Sequence, residues 1–220
     1  MQFETASALT TPWVRMHSLE EAGSLVTEDS QRVTITDDSD LADIRAAAGG
    51  DGEAYARVIG RYQNTIARRV LRFSRDTRTL EELVHDVFVE AYFGLKGYRG
   101  DAPFEHWLQR IATRVGYRYW TQRARESDRQ SIQLYEPEAV VHGQSLDDQD
   151  EVAVALEQLP PRDRLVLTLL YLESRSVAEA ADLAGWSESM IKVQAHRARQ
   201  KLRTLVEQSR LAVAKENDNG

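Results

Sequence analysis

The chain has 220 residues, no cysteine and a formal net charge of −7, so a sizeable core fits while disulfides and thiolate metal sites are excluded. With 42% hydrophobic and 29% charged residues it reads as soluble and globular, and its apolar run Val166 to Leu172 falls far short of the roughly 18 residues that span a bilayer. The first thirty residues lack the basic start and apolar run of a secretory leader, so no direct membrane insertion and a cytoplasmic location are expected.

The charge is unevenly placed. Residues 1–50 hold 9 acids and 3 bases (−6), residues 51–130 hold 11 and 15 (+4), residues 131–160 hold 7 and none (−7), and residues 161–220 hold 8 and 10 (+2). Two basic segments are thus preceded and separated by acidic ones. Residues 1–39, polar and without periodicity, read as an acidic, disordered arm, whose charge suits it to screen a basic face. From Asp40 the pattern is helical. Gly49 to Gly52 break a short helix from a longer one with Tyr55, Val58, Ile59, Tyr62, Ile66, Val70 and Phe73 at steps of three and four. Thr79 and Glu82, at capping-box spacing, open a helix with Leu80, Leu83, Val84, Val87, Phe88, Ala91, Tyr92 and Leu95 on one side. A turn from Gly97 to Pro103 precedes a helix marked by Phe104, Trp107, Leu108, Ile111, Val115 and Tyr119. Lysine and arginine are absent from Gln130 to Pro161, which reads as a linker ending in a helix at Val152, Leu156 and Leu159. A helix after Pro161, a short one capped by Ser176 with Glu179, a glycine turn, and a last helix from Ser187 to about Val206 complete an all-α chain.

Two stretches carry chemistry. In the last helix Ile191, Ala195, Ala198, Leu202 and Leu205 form an apolar stripe, and Lys192, His196, Arg199 and Arg203 repeat its spacing one residue on, about 100° around the cylinder. A short helix, a glycine turn and a cationic second helix is the helix-turn-helix pattern. Its early residues Ser189, Met190, Lys192, Val193 and Gln194 would meet base edges in the major groove. Ala112 to Glu126 packs four arginines and three aromatics into fifteen residues. Arg110, Arg114, Arg118 and Arg125 lie near one ridge, flanked by Tyr117, Trp120 and Arg123. Guanidinium forks fit phosphates and aromatic faces stack on unpaired bases, a combination suited to strands that are opening. The bland alternatives are a solvated cationic face on the last helix, and core roles for Tyr119 and Trp120.

Thr79 to Trp120, "TLEELVHDVFVEAYFGLKGYRGDAPFEHWLQRIATRVGYRYW", resembles region 2 of the extracytoplasmic-function class of bacterial sigma factors. Ala155 to Leu202 resembles their region 4, with Leu159-Pro160, the pair Ile191-Lys192 and the run Arg197-Ala198-Arg199. The resemblance implies two helical domains, region 2 (40–126) and region 4 (151–207), joined by an acidic flexible linker (127–150) and followed by a tail (208–220). It implies a protein that joins core RNA polymerase, melts the −10 element through region 2 and reads the −35 element as duplex through region 4. A pocket for a flipped base would use Tyr98, Arg99, Gly100, Asp101, Phe104 and Arg114, with Tyr117, Arg118, Trp120, Arg123 and Arg125 beside it. The −35 face would use Ser187, Ser189, Met190, Lys192, Val193, Gln194, His196, Arg197 and Arg199. The clamp of the polymerase's largest subunit would meet His85, Asp86 and Glu90. An anti-sigma partner is implied; a cofactor is not. Ser189-Met190, Val193-Gln194, Arg114 and Arg118 depart from the usual residues, so neither promoter element carries over.

Two other readings compete. A duplex-binding regulator acting without polymerase shares the helix-turn-helix but leaves Tyr98 to Arg125 unexplained. A di-iron enzyme could use Glu82-x-x-His85, but its chemistry needs a second such motif, which the sequence lacks. Asp147 to Asp150 lacks the glycine and terminal glutamate of a calcium loop. No enzyme is expected.

Overall fold

The computed structural model describes residues 38–133 and 148–218. The acidic arm and most of the linker, including the arm's expected screening role, lie outside the described residues. Those described are all-α: α1 (Asp38–Ala48), α2 (Gly52–Val70), α3 (Thr77–Gly94), α4 (Phe104–Gln133), α5 (Asp148–Gln158), α6 (Pro161–Leu167), α7 (Val177–Ala184) and α8 (Glu188–Asp218). A 3₁₀ turn, Leu95–Gly97, follows α3, and a π turn, Thr168–Leu172, follows α6.

Local chemistry explains the boundaries. The Asp51 carboxylate accepts from the Glu53 and Ala54 amides at 2.9 and 3.0 Å and opens α2; such a cap satisfies donors that have no partner inside the helix. Asp76, not Thr79, caps α3: its carboxylate accepts from the Thr79 amide at 2.8 Å, so the helix starts before the expected Thr79–Glu82 box. The better acceptor, three residues upstream, wins. The Ser176–Glu179 box is present in both directions, at 3.2 and 2.9 Å. α7 stops at Gly185, whose φ of 69° costs little without a Cβ. Ser187 accepts from the Met190 amide at 3.2 Å at the start of α8. The long helices outrun their sequence estimates. α4 has 30 residues, about 45 Å, and continues past Glu126 into the expected linker. α8 runs to Asp218 rather than Val206, since nothing from Val206 to Asp218 is glycine or proline and the stretch is rich in good helix formers.

The apolar stripes of α2, α3 and α4 meet in one core. Val58, Ile66, Val70, Val87, Phe88, Phe104, Leu108 and Val115 are essentially solvent-free. α1 docks on α2 with Ile44 and Ala47 buried, and ion pairs from Asp40 to Arg61 (2.8 Å) and Asp43 to Arg57 (2.6 Å) fix its place. α6, α7 and α8 form a second unit around Leu165, Leu169, Leu183 and Ile191, continuous with the first core where α6 and α7 pack on α4. α5 closes its far side through Leu156 and Leu159 against Leu167 and Ala198. The π turn widens the chain where Glu173 donates its amide to the Thr168 carbonyl at 3.0 Å. This turns Tyr171 and Leu172 outward and delivers Glu173 to the seam between the units.

Gly116 marks the tightest point of α4. A Cβ there would lie 2.3 Å from the ring of Phe73, which itself packs 4.6 Å, centroid to centroid, from Trp120. Gly116→Ala should therefore overpack the core and cost about 1–3 kcal/mol in urea unfolding, although alanine has the higher helix propensity.

Candidate nucleic-acid interface

The arginine ridge of α4 is real surface, and its members differ in how they are held. Arg114 donates to Glu90 of α3 at 3.0 and 3.3 Å. Arg118 donates to the same carboxylate and lies 4.0 Å from Asp86. Burial pushes Glu90 up, but the hydrogen bonds from Arg118 and Arg114 outweigh it and hold the carboxyl below its ordinary value. Arg123 reaches the Tyr119 hydroxyl at 3.1 Å, and Arg125 is exposed. Arg114, Arg118, Arg125 and Arg129 line a groove of about 520 Å³ with Tyr117. Four guanidiniums along one helix suit a phosphate backbone.

The aromatics are placed otherwise. Trp120 is 5% exposed, donates its indole N–H to the Phe73 carbonyl at 2.8 Å, and lies under the Arg164 guanidinium at 4.2 Å. Tyr117 is half-buried, edge-on to Trp186 of the second unit at 5.7 Å. Trp120 therefore presents no free face to a base, and Tyr117 keeps only the part of its ring that lines the groove. The structure thus brings Trp120 to the core, where an indole with one satisfied donor packs well.

The loop ahead of α4 is built around Tyr98. Its hydroxyl donates to the Ala102 carbonyl at 2.7 Å, and its ring packs on Phe104 and Trp107 at 5.2 and 5.4 Å. Arg99, Gly100 and Asp101 are exposed, with Gly100 at φ 79°. Phe104 is 1% exposed, so Tyr98 fills the space in front of it.

On α8 the basic stripe Lys192, His196, Arg199 and Arg203 is exposed, while Ile191, Ala195 and Ala198 are buried on the other side. Ser187, Ser189, Met190, Val193 and Arg197 are exposed. Lys192 lies 3.6 Å from Glu188, one turn back. Arg199 donates to the Tyr171 hydroxyl. Gln194 departs from the expected outward orientation: it is half-buried and donates to the buried Asp163, which also holds Lys201 at 2.6 Å. A buried carboxylate requires donors, and Gln194 is one of them.

Between the two faces lies the seam. Arg69 pairs with Glu173, both side chains being 8% exposed, and donates to the Thr113 hydroxyl at 3.0 Å. Arg110 pairs with Asp182, as does His106 at 3.3 Å.

The expected polymerase contacts on α3 are His85, Asp86 and Glu90. The first two are exposed, whereas Glu90 is committed to the arginines. Sequence reasoning missed their apolar neighbours: Phe93 is 78% exposed and Val89 38%. The signal was available, because Val89 and Phe93 continue the four-residue row from His85 on the face opposite the core stripe. A largely exposed phenylalanine beside another apolar residue marks a contact surface for a partner.

Residues 58–126 match the family Sigma-70 region 2, and residues 149–202 match Sigma-70, region 4. The RNA polymerase sigma-H factor of Pseudomonas aeruginosa is 25% identical over 179 residues, 76% of this chain and 93% of that one. The ECF RNA polymerase sigma-E factor of Escherichia coli is 26% identical over 164 residues, 69% and 85% of the two chains. Among solved structures, the sigma factor RpoE of Bartonella quintana, in complex with the anti-sigma factor NepR, aligns with a TM-score of 0.47 at 21% identity, covering 69% of this chain and 95% of that one. The chain belongs to the extracytoplasmic-function class of the sigma-70 family, and is an alternative sigma factor that acts in transcription initiation. That family consists of non-catalytic initiation factors. Among the described residues, no helix is long and apolar enough to cross a membrane.

The Glu90 cluster has a pH signature. Its folded value lies below the ordinary 4.5, so the pairing contributes in full above that range and is lost as pH falls through the lowered value. Melting temperature followed from about pH 6 to 3 should therefore fall less steeply for Glu90→Gln than for the natural chain.

Proposed function

We propose that the α4 groove holds the −10 element as it opens and that the exposed face of α8 reads the −35 element as intact duplex. The observation that carries this reading is the pair of cationic surfaces of different kinds. One is a groove of arginines with Tyr117 in its wall. The other is a single helix stripe above a buried hydrophobic seat. The proposed units are region 2 at 40–126, a linker at 127–150, region 4 at 151–207 and a tail from 208. The α3 face of His85, Asp86, Val89 and Phe93 docks on the clamp of the polymerase's largest subunit. An anti-sigma partner, as implied for the class, competes for that apolar face. The protein works in the cytoplasm and catalyses no reaction itself.

This reading requires movement. Tyr117 and Trp120 are covered by Trp186 and Arg164, so the second unit moves off α4 before parted strands reach them. Weak promoter binding by the free chain and strong binding with core polymerase follow, and a band-shift with and without core enzyme tests it. Equal binding in both would favour the duplex regulator.

The contact types separate by variant. Arg123→Ala and Arg125→Ala should weaken holoenzyme binding to every promoter and lower the salt slope by about one charge each. Lys192→Ala should instead change preference at particular −35 positions by about 1–3 kcal/mol. An Arg123 variant with altered base preference and an unchanged salt slope would contradict the division. Val89→Asp with Phe93→Asp should weaken core-polymerase capture at least about tenfold, with urea unfolding of the free chain changed by less than about 0.5 kcal/mol.

A further inference from the structure

A further basic site lies at the seam, where the end of α2 meets the segment after the π turn. Arg68, Arg69, Arg72 and Arg175 line one cleft of about 370 Å³ there. Glu173 is the single carboxylate among the lining residues; it pairs with Arg69 and lies 3.7 Å from Arg175. Arg69 uses one terminal nitrogen on Glu173 and the other on the Thr113 hydroxyl. Its Nε, though the side chain is more than nine-tenths buried, has no hydrogen-bond partner. Arg175 lies 3.7 Å from both Glu173 and Glu179 and reaches the Gln109 side chain at 3.5 Å, while its buried Nε has no hydrogen bond among the described residues. Among the described residues, Arg68 reaches only the Thr65 hydroxyl, at 3.4 Å. Arg72 has no side-chain ion pair among the described residues.

Each of these features is costly without a ligand. A buried N–H donor lacking an acceptor forfeits its hydration, and with Arg175 shared between Glu173 and Glu179 the excess positive charge of Arg68, Arg69 and Arg72 over Glu173 is repulsive at short range. Burial, together with the charges of Arg175 and Arg72, lowers the basicity of Arg69 despite Glu173 beside it. An oxyanion with several oxygens lying against the exposed Arg68 and Arg72 relieves the repulsion. Guanidinium forks match the tetrahedral oxygens of phosphate, whereas chloride offers one centre and no fork geometry. The cleft is large enough for a diphosphate or a sugar phosphate.

We propose that this cleft binds a phosphate-bearing anion, with Arg68 and Arg72 clamping it from outside and Arg69 donating from within. Because Arg68, Arg69 and Arg72 come from the first unit and Arg175 from the second, the anion favours the closed arrangement, as any ligand favours the state that holds it. The inference does not depend on the promoter contacts proposed above.

The test is calorimetric titration of the full chain, without polymerase or promoter, with inorganic pyrophosphate at about 0.15 M salt. The expected result is saturable binding at one site per chain, weakened at least roughly tenfold in the double variant Arg68→Gln, Arg72→Gln and unchanged in Arg78→Gln. Both clamp arginines are exposed, so their loss leaves the fold intact, and circular dichroism checks this. Pyrophosphate should also raise the melting temperature of the natural chain and not of the double variant. Competition by a short single-stranded oligonucleotide then separates the sources. Displacement assigns the cleft to a nucleic-acid backbone phosphate, and no displacement assigns it to a free phosphoanion. Absence of saturable pyrophosphate binding, or equal affinity in the double variant, overturns the proposal.

Discussion

One helix has to satisfy three neighbours at once. α4 gives its apolar stripe, Phe104, Leu108, Ile111 and Val115, to the first core. It gives a flank, Gln109, Thr113, Tyr117 and Trp120, to the second unit and the seam. Its remaining side carries Arg114, Arg118, Arg123 and Arg125. With 3.6 residues per turn these three duties divide the cylinder almost completely, which leaves little freedom in where any side chain stands. The close approach at Gly116 and the indole bond of Trp120 to the Phe73 carbonyl fix the rotation of the helix, and so fix the direction in which the arginines point.

The seam beside α4 is polar as well as apolar, and this bears on function. Two charges withdrawn from water at Arg69 and Glu173 lose several kcal/mol of hydration each, which their attraction largely returns. Such a pair specifies a geometry more than it adds stability. If the units separate, both groups regain water, so opening costs much less than cutting one charge away would. An arrangement held by ion pairs such as Arg69–Glu173 and Arg110–Asp182, and by the edge contact of Tyr117 with Trp186, is closed by default and still openable. On the proposed reading of α4 as the single-strand face, this closed arrangement is a physical means of staying silent until core polymerase and promoter supply compensating contacts.

Much of this was legible in the sequence. The three- and four-residue spacings of α2, α3 and α4 identified the buried stripes, because a helix buries one face and the period follows. The Ser176–Glu179 box, Gly185 and Ser187 located the helix-turn-helix, because their chemistry is local. Less legible was anything decided by distant contacts. Trp120 looked like a stacking platform and sits in the core, since only the fold brings the Phe73 carbonyl and Arg164 to it. Gln194 looked like a base reader and serves Asp163, thirty-one residues away. Glu90 looked like a polymerase contact and neutralises two arginines on the next helix. The lengths of α4 and α8 were underestimated because their last turns are mostly polar and give no sustained apolar period to follow. Phe93 was overlooked because attention to the buried stripe hides apolar residues outside it.

The claim that unites these parts is that one chain confers start-site choice on a polymerase that lacks it. Transcription reconstituted from the purified chain, bacterial core RNA polymerase and genomic DNA, with the 5′ ends of the transcripts mapped, tests it most directly. The account predicts initiation at a discrete set of sites sharing two upstream elements, absent when the chain is omitted. Transcripts with the same scattered ends in the presence and absence of the chain would contradict it.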